Sequence, residues 1–380
     1  MVANGLPIGL FRHVSFGAEM TSSGGVAVDV RVVVAGPGIL AAATAYHLAR
    51  AKIPVTLVRG GACEAERVSA GFGGLSYLTD ETDGQLDLVR RAMREHVALS
   101  PRIAGEGWFR FTSALLWRLD GTLAKRVDPL RRQGEAVWQM TRDEALAMTR
   151  SALWIPPSVS EIAYASREPL FDVGVCAQAL VRRAVELGAE VIAGDAVIGF
   201  DMVSSGWVAR LASGGSLSGD VVVNAMGPGA GELAPRRIPS VKVRALLVSV
   251  ATPGFDLFWT VHTDRLSLRP SAPGVVLARS DVADQLVNNG FSVAESEVEV
   301  LRRVREVVPR IPGWAATEVK VGSRSVRTSG LPVTGADPEL PGYYEPFAQC
   351  SVLIGPLLGR LLAEQIAEGA QPAELTPAEG

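Results

Sequence analysis

The sequence predicts an α/β fold in which a Rossmann-like nucleotide-binding domain is interleaved with a mainly antiparallel β-sheet domain. The first observation is "RVVVAGPGILAAATAYHLARAKIPVTLVRG", residues 31–60, which has the pattern of a strand, a glycine turn, a helix and a second strand. The second is that segments typical of a parallel sheet occur in three separated blocks, with alternating segments between them. A chain of 380 residues is long enough for two domains and a large core.

Hydrophobic periodicity places the elements of the first part of the chain in order. The predicted elements are a buried strand over Val32–Ala35, an apolar helix over 39–51, a strand over Val55–Val58, a helix over 82–103, a strand within 109–119 and a helix over 121–134. Charged outer positions in 82–103 are typical of a helix with one solvent-exposed face.

The second part of the chain continues the alternation of helices and strands. The predicted elements are a helix over 172–188, a strand, turn and strand over 189–202, a hairpin from 206 that leads into an apolar strand at 221–225, alternating strands at 241–250 and 274–279, a helix over 295–308 and a closing helix over 351–369. This order favours an interleaved two-domain chain over two consecutive domains.

Composition excludes several classes of function. The net charge is −3 and there is no basic block, so nothing favours a nucleic-acid partner. No apolar run approaches the roughly 20 residues of a membrane helix, so we expect no membrane association. The three cysteines lie far apart and the four histidines lack ligand spacing. That pattern predicts no metal site, no disulfide and a reducing, cytoplasmic location.

The two termini differ from the rest of the chain. Residues 1–28 lack the apolar stretch of a signal peptide, so we expect a loose N-terminal extension there. Residues 371–380 are rich in Pro, Ala and Glu, and this composition predicts a disordered tail.

The glycine turn fits the pattern G-x-G-x-x-G/A through Gly36, Gly38 and Ala41. In such a turn the first glycine permits the sharp bend, the second lets a pyrophosphate approach the backbone, and the third small residue lets helix and strand pack closely. The helix that follows offers free N–H groups and partial positive charge to phosphates. The flanking strands and helix make this an indication of dinucleotide binding.

Four blocks in order resemble the family of FAD-dependent amine and amino-acid oxidoreductases that includes D-amino-acid oxidase, glycine oxidase and sarcosine oxidase. The blocks are "VVVAGPGILAAATAYHLARAKIPVTLV", "GDVVVNAMGPGAGELA", "VGSRSVRTSGLPVTGADPELPGYY" and "GPLLGRLLAEQIAEG". The third is similar to the family's G-x-R-P and D-G-L-P-x-x-G block. Together they span nearly all of residues 29–370.

The resemblance implies an FAD-binding domain built from 29–78, 173–235 and 315–370, and a substrate domain built from 79–172 and 236–314. It implies non-covalent FAD, with Gly36, Gly38 and Ala41 at the pyrophosphate. It also places the backbone of Val197 near the adenine, and Gly227 and Gly229 near the flavin.

Arg59 departs from the family at the end of the second strand, where a ribose-binding Glu is expected. A carboxylate accepts from both ribose hydroxyls, whereas a guanidinium can only donate. Losing these bonds costs about 1–3 kcal/mol, so FAD binding is expected to be weak. Glu64 or Glu66 could substitute for the missing carboxylate. Arg59 is alternatively a ligand for the 2′-phosphate of NADP, or a solvated arginine. Pro37 also removes one backbone donor from the turn.

A second departure precedes the closing helix. The family has a glycine-rich run against the pyrimidine end of the flavin, and this chain has Pro-Phe-Ala-Gln-Cys-Ser at 346–351, whose side chains are expected to crowd the cofactor. Ser329 replaces the Asp of D-G-L-P. Cys350 is interpreted either as a covalent attachment point or as a plain buried cysteine.

Arginine is the residue type best suited to hold a substrate carboxylate, because its fork of donors binds two oxygens at once. By position in the family pattern, Arg269 and Arg324 are the candidates, each with a surface salt bridge as the alternative. Arg244 and Arg327 are further candidates. His262 is either an active-site base or a hydrogen-bonded structural histidine.

The resemblance therefore predicts an FAD-dependent enzyme that oxidises a C–N bond of a small-molecule substrate, an amino acid or secondary amine, to an imine. No catalytic residue is assigned. The alternative is a flavoprotein fold with weak or no FAD, which acts as a non-oxidative enzyme or as the partner subunit of another protein.

Overall fold

The computed structural model describes residues 30–60, 71–74, 83–103, 107–119, 123–235, 241–310, 313–326, 335–337, 339–348 and 351–369. Within them the helices are α1 (Ile39–Arg50), α2 (Asp83–Leu99), α3 (Leu123–Arg132), α4 (Arg142–Met148), α5 (Val173–Glu186), α6 (Ala230–Leu233), α7 (Asp281–Asn288), α8 (Val293–Val307) and α9 (Ser351–Glu368). The strands are β1 (Val32–Ala35), β2 (Val55–Val58), β3 (Phe109–Leu116), β4 (Val137–Thr141), β5 (Glu161–Phe171), β6 (Glu190–Ile192), β7 (Val197–Val203), β8 (Gly206–Leu211), β9 (Ser216–Gly219), β10 (Val221–Asn224), β11 (Val241–Ala251), β12 (Trp259–His262), β13 (Ser267–Ala272), β14 (Val275–Arg279), β15 (Ala315–Val326) and β16 (Tyr343–Tyr344).

Five strands form a parallel sheet in the order β16-β10-β1-β2-β6. Ala35 pairs with Val58 on one side and with Asn224 on the other, so the carboxyl ends of the three central strands meet at one edge. These strands are nearly all valine and leucine, as expected for strands covered on both faces. The strand, turn, helix and strand predicted for residues 31–60 are therefore present in the structure.

Different layers cover the two faces of the parallel sheet. On one face, Val32 and Val34 join a core cluster with α1, α2, α5 and α9. On the other face, Val33 and Ala35 pack against the antiparallel sheet formed by β7, β8 and β9, whose Trp207 is buried there. Strand alternation thus divides one short apolar strand between two cores.

Helices α1 and α9 cross at close range because α9 carries a glycine at the crossing. A Cβ atom built on Gly359 would lie 2.8 Å from both the Cβ of Ala43 and the backbone nitrogen of Thr44. Such a contact forces a shift of backbone, so only glycine fits. The crossing fixes the closing helix against the helix that follows the glycine turn.

The second sheet has eight strands in the order β15-β11-β14-β13-β12-β3-β5-β4, and every pair is antiparallel except β12 with β3. One face packs on α7 and α8 through Leu268, Val276 and Ala278. At the β4 end, α3 covers the opposite face through Val127. An α/β protein with one parallel and one mainly antiparallel sheet confirms the predicted fold class.

Two elements pack against a different sheet from the one to which the predicted domain division assigns them. Strand β15 pairs along its length with β11 in the eight-stranded sheet, although residues 315–326 were predicted to belong with the parallel sheet. Helix α2 buries Val89, Met93 and Leu99 in the core of the parallel-sheet unit, although 83–99 was predicted to belong to the other domain. Periodicity shows which face of an element is buried but not which partner buries it. The remaining domain boundaries stay predictions.

Candidate active site

The turn between β1 and α1 requires glycine at position 36. A Cβ atom there would lie 2.4 Å from the carbonyl oxygen of Ala225 and 3.1 Å from the Cβ of Ala41. The backbone N–H of Gly36 donates to the carbonyl of Val58 (2.9 Å), which ties the turn to β2. Ala41 is fully buried, and its single methyl group leaves room for this approach of β10 and α1.

Gly38 is the N-cap of α1 and faces open space, since no atom lies within 4 Å of a Cβ built there. No side chain caps the helix, and its first turn has no acidic residue. The first backbone N–H groups of α1 are therefore available to an anionic ligand, and the helix dipole favours one. The pyrophosphate site predicted for this turn stays a prediction.

Arg59 directly follows β2, and its N–H donates to the carbonyl of Ile192 (3.0 Å). Its side chain is half-buried, and burial lowers the pKa of the guanidinium. Among the described residues, no carboxylate lies within 4 Å of its nitrogens. Glu64 and Glu66, the predicted substitutes for a ribose-binding acid, lie outside the described residues. Within the described residues, the guanidinium of Arg59 thus has no carboxylate partner at the edge of the sheet where the ribose is expected.

Val197 is buried at the start of β7. The preceding turn lies beside the end of β2, because the N–H of Gly194 donates to the carbonyl of Gly60 (3.0 Å). Asp195 in that turn accepts hydrogen bonds from Ser213 and holds the turn in place. The fold thus brings the candidate adenine residue and Arg59 to the same edge of the parallel sheet.

The loop after β10 forms a short 3-10 helix over Gly227–Gly229. Gly227 has a φ of 58°, a left-handed conformation that favours glycine, and a Cβ on it would meet no atom within 4 Å. Asn224 holds this loop, since its side-chain nitrogen donates to the carbonyl of Ala230 (2.9 Å) and to the hydroxyl of Tyr343 (2.8 Å). The two candidate flavin glycines therefore lie on a supported turn at the same sheet edge as Gly38.

The chain between β16 and α9 is buried where it is described. Phe347 and Ala348 are both largely shielded from solvent, and Ala348 packs in the core cluster around α1 and α9. Gln349 and Cys350 lie outside the described residues, as do Arg327 and Ser329. The predicted crowding of the cofactor by 346–351 stays a prediction.

One face of the eight-stranded sheet is turned away from α7 and α8. Because side chains alternate along a strand, the strands that send Leu268 and Val248 to those helices send Arg269 and Leu247 to the opposite face. Strand β15 runs along the edge of this sheet and contacts the turn Gly227–Gly229. We call this surface the open face.

Arg324 lies on β15 opposite Val243 and belongs to the open face. Its Nε atom is buried and has no hydrogen-bond partner among the described residues. A buried donor without an acceptor costs free energy, so a carboxylate placed beside it is stabilised. The role of Arg324 in substrate binding stays a prediction.

Arg269 has different surroundings. It is 7% exposed, its Nε donates to the carbonyl of Phe72, and its Nη1 donates to the carbonyl of Pro270 (3.1 Å). The guanidinium also lies over the Phe72 ring, 5.7 Å from its centroid. Burial lowers its pKa to about 10, while the nearby carboxylate of Asp172 acts in the opposite direction. These contacts favour a structural role, in which Arg269 attaches residues 71–74 to the sheet.

His262 lies on β12 between two polar partners that the sequence analysis did not identify. Its Nδ1 is 3.0 Å from the hydroxyl of Ser267, and its Nε2 is 3.2 Å from a carboxylate oxygen of Glu168. No local pattern connects residues 94 positions apart, so only the sheet pairing could reveal this cluster.

Arg244 is exposed, and its backbone groups pair with the Asn288 side chain.

Two further features bear on the class of site. Among the described residues, no group of three or more His, Cys, Asp and Glu side chains could hold a metal ion. No helix in that part of the chain is long and apolar enough to cross a membrane.

Comparisons with known proteins agree with this geometry. Residues 31–365 match the family model described as DAO, FAD dependent oxidoreductase. A Bacillus subtilis (strain 168) protein named "Uncharacterized oxidoreductase YurR" is 24% identical over 374 residues, which cover 91% of this chain and 97% of that protein.

Solved structures share the fold over nearly the whole chain. Glycine oxidase from Geobacillus kaustophilus superposes with a TM-score of 0.79 at 22% identity, covering 92% of this chain and all of that one. Iminodiacetate oxidase from Chelativorans sp. BNC1 has a TM-score of 0.74 at 22% identity, and the match covers 91% of this chain and 97% of that one. L-proline dehydrogenase from P. horikoshii has a TM-score of 0.76 at 19% identity, and the match covers 91% of this chain and 96% of that one. At these identities the likeness shows the fold alone.

Proposed function

Because the chain belongs to the family of FAD-dependent oxidoreductases, whose model spans residues 31–365, we propose that it oxidises a C–N bond of an amino acid or secondary amine to an imine. The structural relatives named for glycine, iminodiacetate and L-proline all act on compounds that carry an amine and a carboxylate. These names support the substrate class proposed for this chain.

The observation that carries the proposal is the Nε of Arg324 on the open face, which is buried and has no hydrogen-bond partner within the described part of the chain. Its strand contacts the turn Gly227–Gly229, which we propose to lie beside the flavin. A carboxylate bound by Arg324 would place the substrate between the open face and that turn. Arginine suits this task because it binds both carboxylate oxygens and stays charged when desolvated.

The residues of the glycine turn fit the cofactor. Gly38 leaves open space above an uncapped helix N-terminus, as a pyrophosphate requires. We propose that Gly36, Gly38 and Ala41 hold the pyrophosphate, the backbone of Val197 holds the adenine, and Gly227 and Gly229 lie at the flavin. When bound, FAD supplies the two-electron acceptor for the reaction.

We propose that FAD binds non-covalently and more weakly than is usual for this fold. The pyrophosphate site supports binding, whereas Arg59 offers no acceptor to the ribose hydroxyls. Purified protein is therefore expected to lose part of its flavin and to regain it when FAD is added.

Visible spectroscopy tests the proposal. The spectrum of the purified protein is recorded before and after adding FAD, and the loaded protein is then mixed anaerobically with amino acids and secondary amines. Loss of the visible flavin band on mixing with one of them supports the proposal. If no flavin binds at micromolar FAD, the alternative of a non-oxidative enzyme or partner subunit takes its place.

A further inference from the structure

Ser267, His262 and Glu168 form a continuous polar chain on the open face. The hydroxyl of Ser267 lies 3.0 Å from Nδ1 of His262, and Nε2 of the same ring lies 3.2 Å from Oε1 of Glu168. Ser267 is half-buried, His262 is 4% exposed and Glu168 is fully buried. The chain of groups thus leads from the accessible side of the sheet to its interior.

The chemistry of the three groups assigns the direction of the hydrogen bonds. An ionised carboxylate can only accept, so the Nε2–H of His262 donates to Glu168. Nδ1 is then the acceptor, and the hydroxyl of Ser267 donates to it. In this arrangement Ser267 retains lone pairs that can accept one more hydrogen bond from a donor on the open face.

Only one oxygen of the Glu168 carboxylate is hydrogen-bonded within the described residues. Its second oxygen, Oε2, is buried without a hydrogen-bond partner among the described residues, and so is the hydroxyl of Thr260 on the strand of His262. The Nε2–H of His262 already points at Oε1 of this carboxylate, so the proton of that bond can pass to Glu168 without any rearrangement of the two side chains.

The surroundings isolate the imidazole from water while leaving it next to charged groups. The ring of Phe72 lies edge-on to that of His262, with centroids 6.5 Å apart. The charges on the elements around it are Glu168 on β5, Arg269 on β13 and, near Arg269, Asp172 and Arg110. Among the described residues, Glu168 is the buried carboxylate that is hydrogen-bonded to this ring.

We propose that Ser267, His262 and Glu168 are a proton relay that removes a proton from the substrate ammonium group. The inference rests on the proposed function, because an amine is oxidised only when its nitrogen has a free electron pair. In the step, the substrate N–H bond breaks and its electron pair stays on nitrogen. The proton passes to the Ser267 oxygen as the hydroxyl proton moves to Nδ1 of His262 and the Nε2 proton moves to Glu168. The neutral amine left by this step is the form of the substrate that FAD, when bound, would oxidise.

In this proposal Ser267 is the catalytic residue, the group that would contact the substrate amine, and the other two residues act through it. His262→Gln keeps a hydrogen-bonding side chain but cannot relay a proton. At pH 7, where most of the amine is protonated, flavin reduction should slow by about 10²-fold, the lower end of the effect of general base catalysis. As pH rises past the amine's own pKa, of about 8–10, the rates of variant and wild type should approach each other.

The experiment measures anaerobic flavin reduction from pH 6 to pH 10 in FAD-loaded proteins. Ser267→Ala and Glu168→Gln accompany His262→Gln, so that the failure of one variant to fold leaves two others. Ser249→Ala, a serine of the same face on β11 without a histidine partner, is the matched control and should follow the wild type. FAD content and melting temperature are recorded for each protein.

The outcomes separate the relay from the proposed function. A pH-dependent loss in the relay variants, recovered at high pH, supports the relay. A loss by the same factor at every pH, or no loss, overturns the relay and leaves the oxidase proposal intact. If no amine or amino acid reduces the flavin of the wild type at any pH, the proposed function and the relay that rests on it are both overturned.

Discussion

The α-carbon of Gly36 faces the carbonyl oxygen of Ala225 so closely that a Cβ atom on it would lie 2.4 Å from that oxygen. Ala225 follows β10, and its N–H donates to the carbonyl of Ala35 (2.8 Å), so neither backbone can withdraw without breaking the pairing of the central strands. Gly38, two residues later, has open space at the same position. One glycine is therefore required by the fold and the other is available to a ligand.

This contrast predicts opposite effects of two alanine substitutions. Gly36→Ala should destabilise the protein by about 1–3 kcal/mol, since a methyl group cannot be accommodated against backbone. Gly38→Ala should leave the melting temperature of the FAD-free protein unchanged and weaken FAD binding, because its methyl group would occupy the space of the pyrophosphate. Thermal unfolding and FAD titration of both variants measure the two effects. A stable Gly36→Ala protein that binds FAD normally would contradict the role given to the turn.

Local patterns were sufficient to predict the glycine turn and the elements beside it. The motif through Gly36 and Gly38 depends on residues adjacent in the chain, and the structure confirms a strand, turn, helix and strand at Val32–Ala35, Ile39–Arg50 and Val55–Val58. The closing helix is likewise found at Ser351–Glu368.

The segment between α3 and α5 was not predicted, for a physical reason. Strand β5 sends Ile162 and Tyr164 to the core under α8, and sends Ala163 and Ala165 to the core under α3. A strand buried on both faces shows no alternation of polar and apolar residues. The cluster of Glu168, His262 and Ser267 was missed because only the packing of the sheet brings distant parts of the chain together.

Exchanging the charge at Arg59 tests the position of the ribose. Arg59→Glu supplies an acceptor for the ribose hydroxyls and should tighten FAD binding by about tenfold. Flavin fluorescence quenching measures the affinity, with Arg132→Glu on the surface of α3 as a control for the change in net charge. If the wild type binds FAD tightly and Arg59→Glu binds it less well, then Arg59 does not lie at the ribose and the position given to the end of β2 is wrong.

Two buried histidines predict sensitivity to acid. Burial lowers the pKa of His96 to about 4 and that of His47 to about 3. His47 lies 3.7 Å from Glu95 but makes no hydrogen bond with it, and Glu95 is already paired with Arg360 (2.8 Å), so a neutral His47 is consistent with both observations.

Because both pKa values are below the ordinary 6.5, the two histidines bind protons in the unfolded chain at pH values where they stay neutral in the native protein. Their contribution to the free energy of unfolding is therefore fully present above about pH 6.5 and is lost as the pH falls toward the folded-state pKa values. His96 alone should contribute a loss of about 2 kcal/mol between pH 6.5 and pH 5. Urea unfolding at several pH values measures this slope. His96→Phe should be less stable at pH 7 but should have a shallower slope, and an unchanged slope would refute the assignment.

Substrate recognition should depend on Arg324 far more than on Arg269. Among the described residues the Nε of Arg324 has no acceptor, whereas Nε and Nη1 of Arg269 donate to the carbonyl oxygens of Phe72 and Pro270. Removing an arginine that holds a buried carboxylate costs about 2–5 kcal/mol, so Arg324→Ala should raise the apparent substrate constant by at least about thirtyfold. Arg324→Lys should recover part of this loss, because it keeps the charge without the paired donors.

Arg269→Ala should act mainly on stability, lowering the melting temperature by releasing residues 71–74, with a smaller change in the substrate constant. Lys242→Ala, which removes an exposed cation from the neighbouring strand β11, is the control and should leave the constant unchanged. The measurement is steady-state kinetics with the amine that bleaches the flavin best, together with thermal unfolding of each variant. If alanine at both arginines leaves the substrate constant within about twofold of the wild type, a difference of less than about 0.5 kcal/mol, the carboxylate of the substrate is bound elsewhere. The proposed position of the substrate between the open face and the turn Gly227–Gly229 would then have to be abandoned.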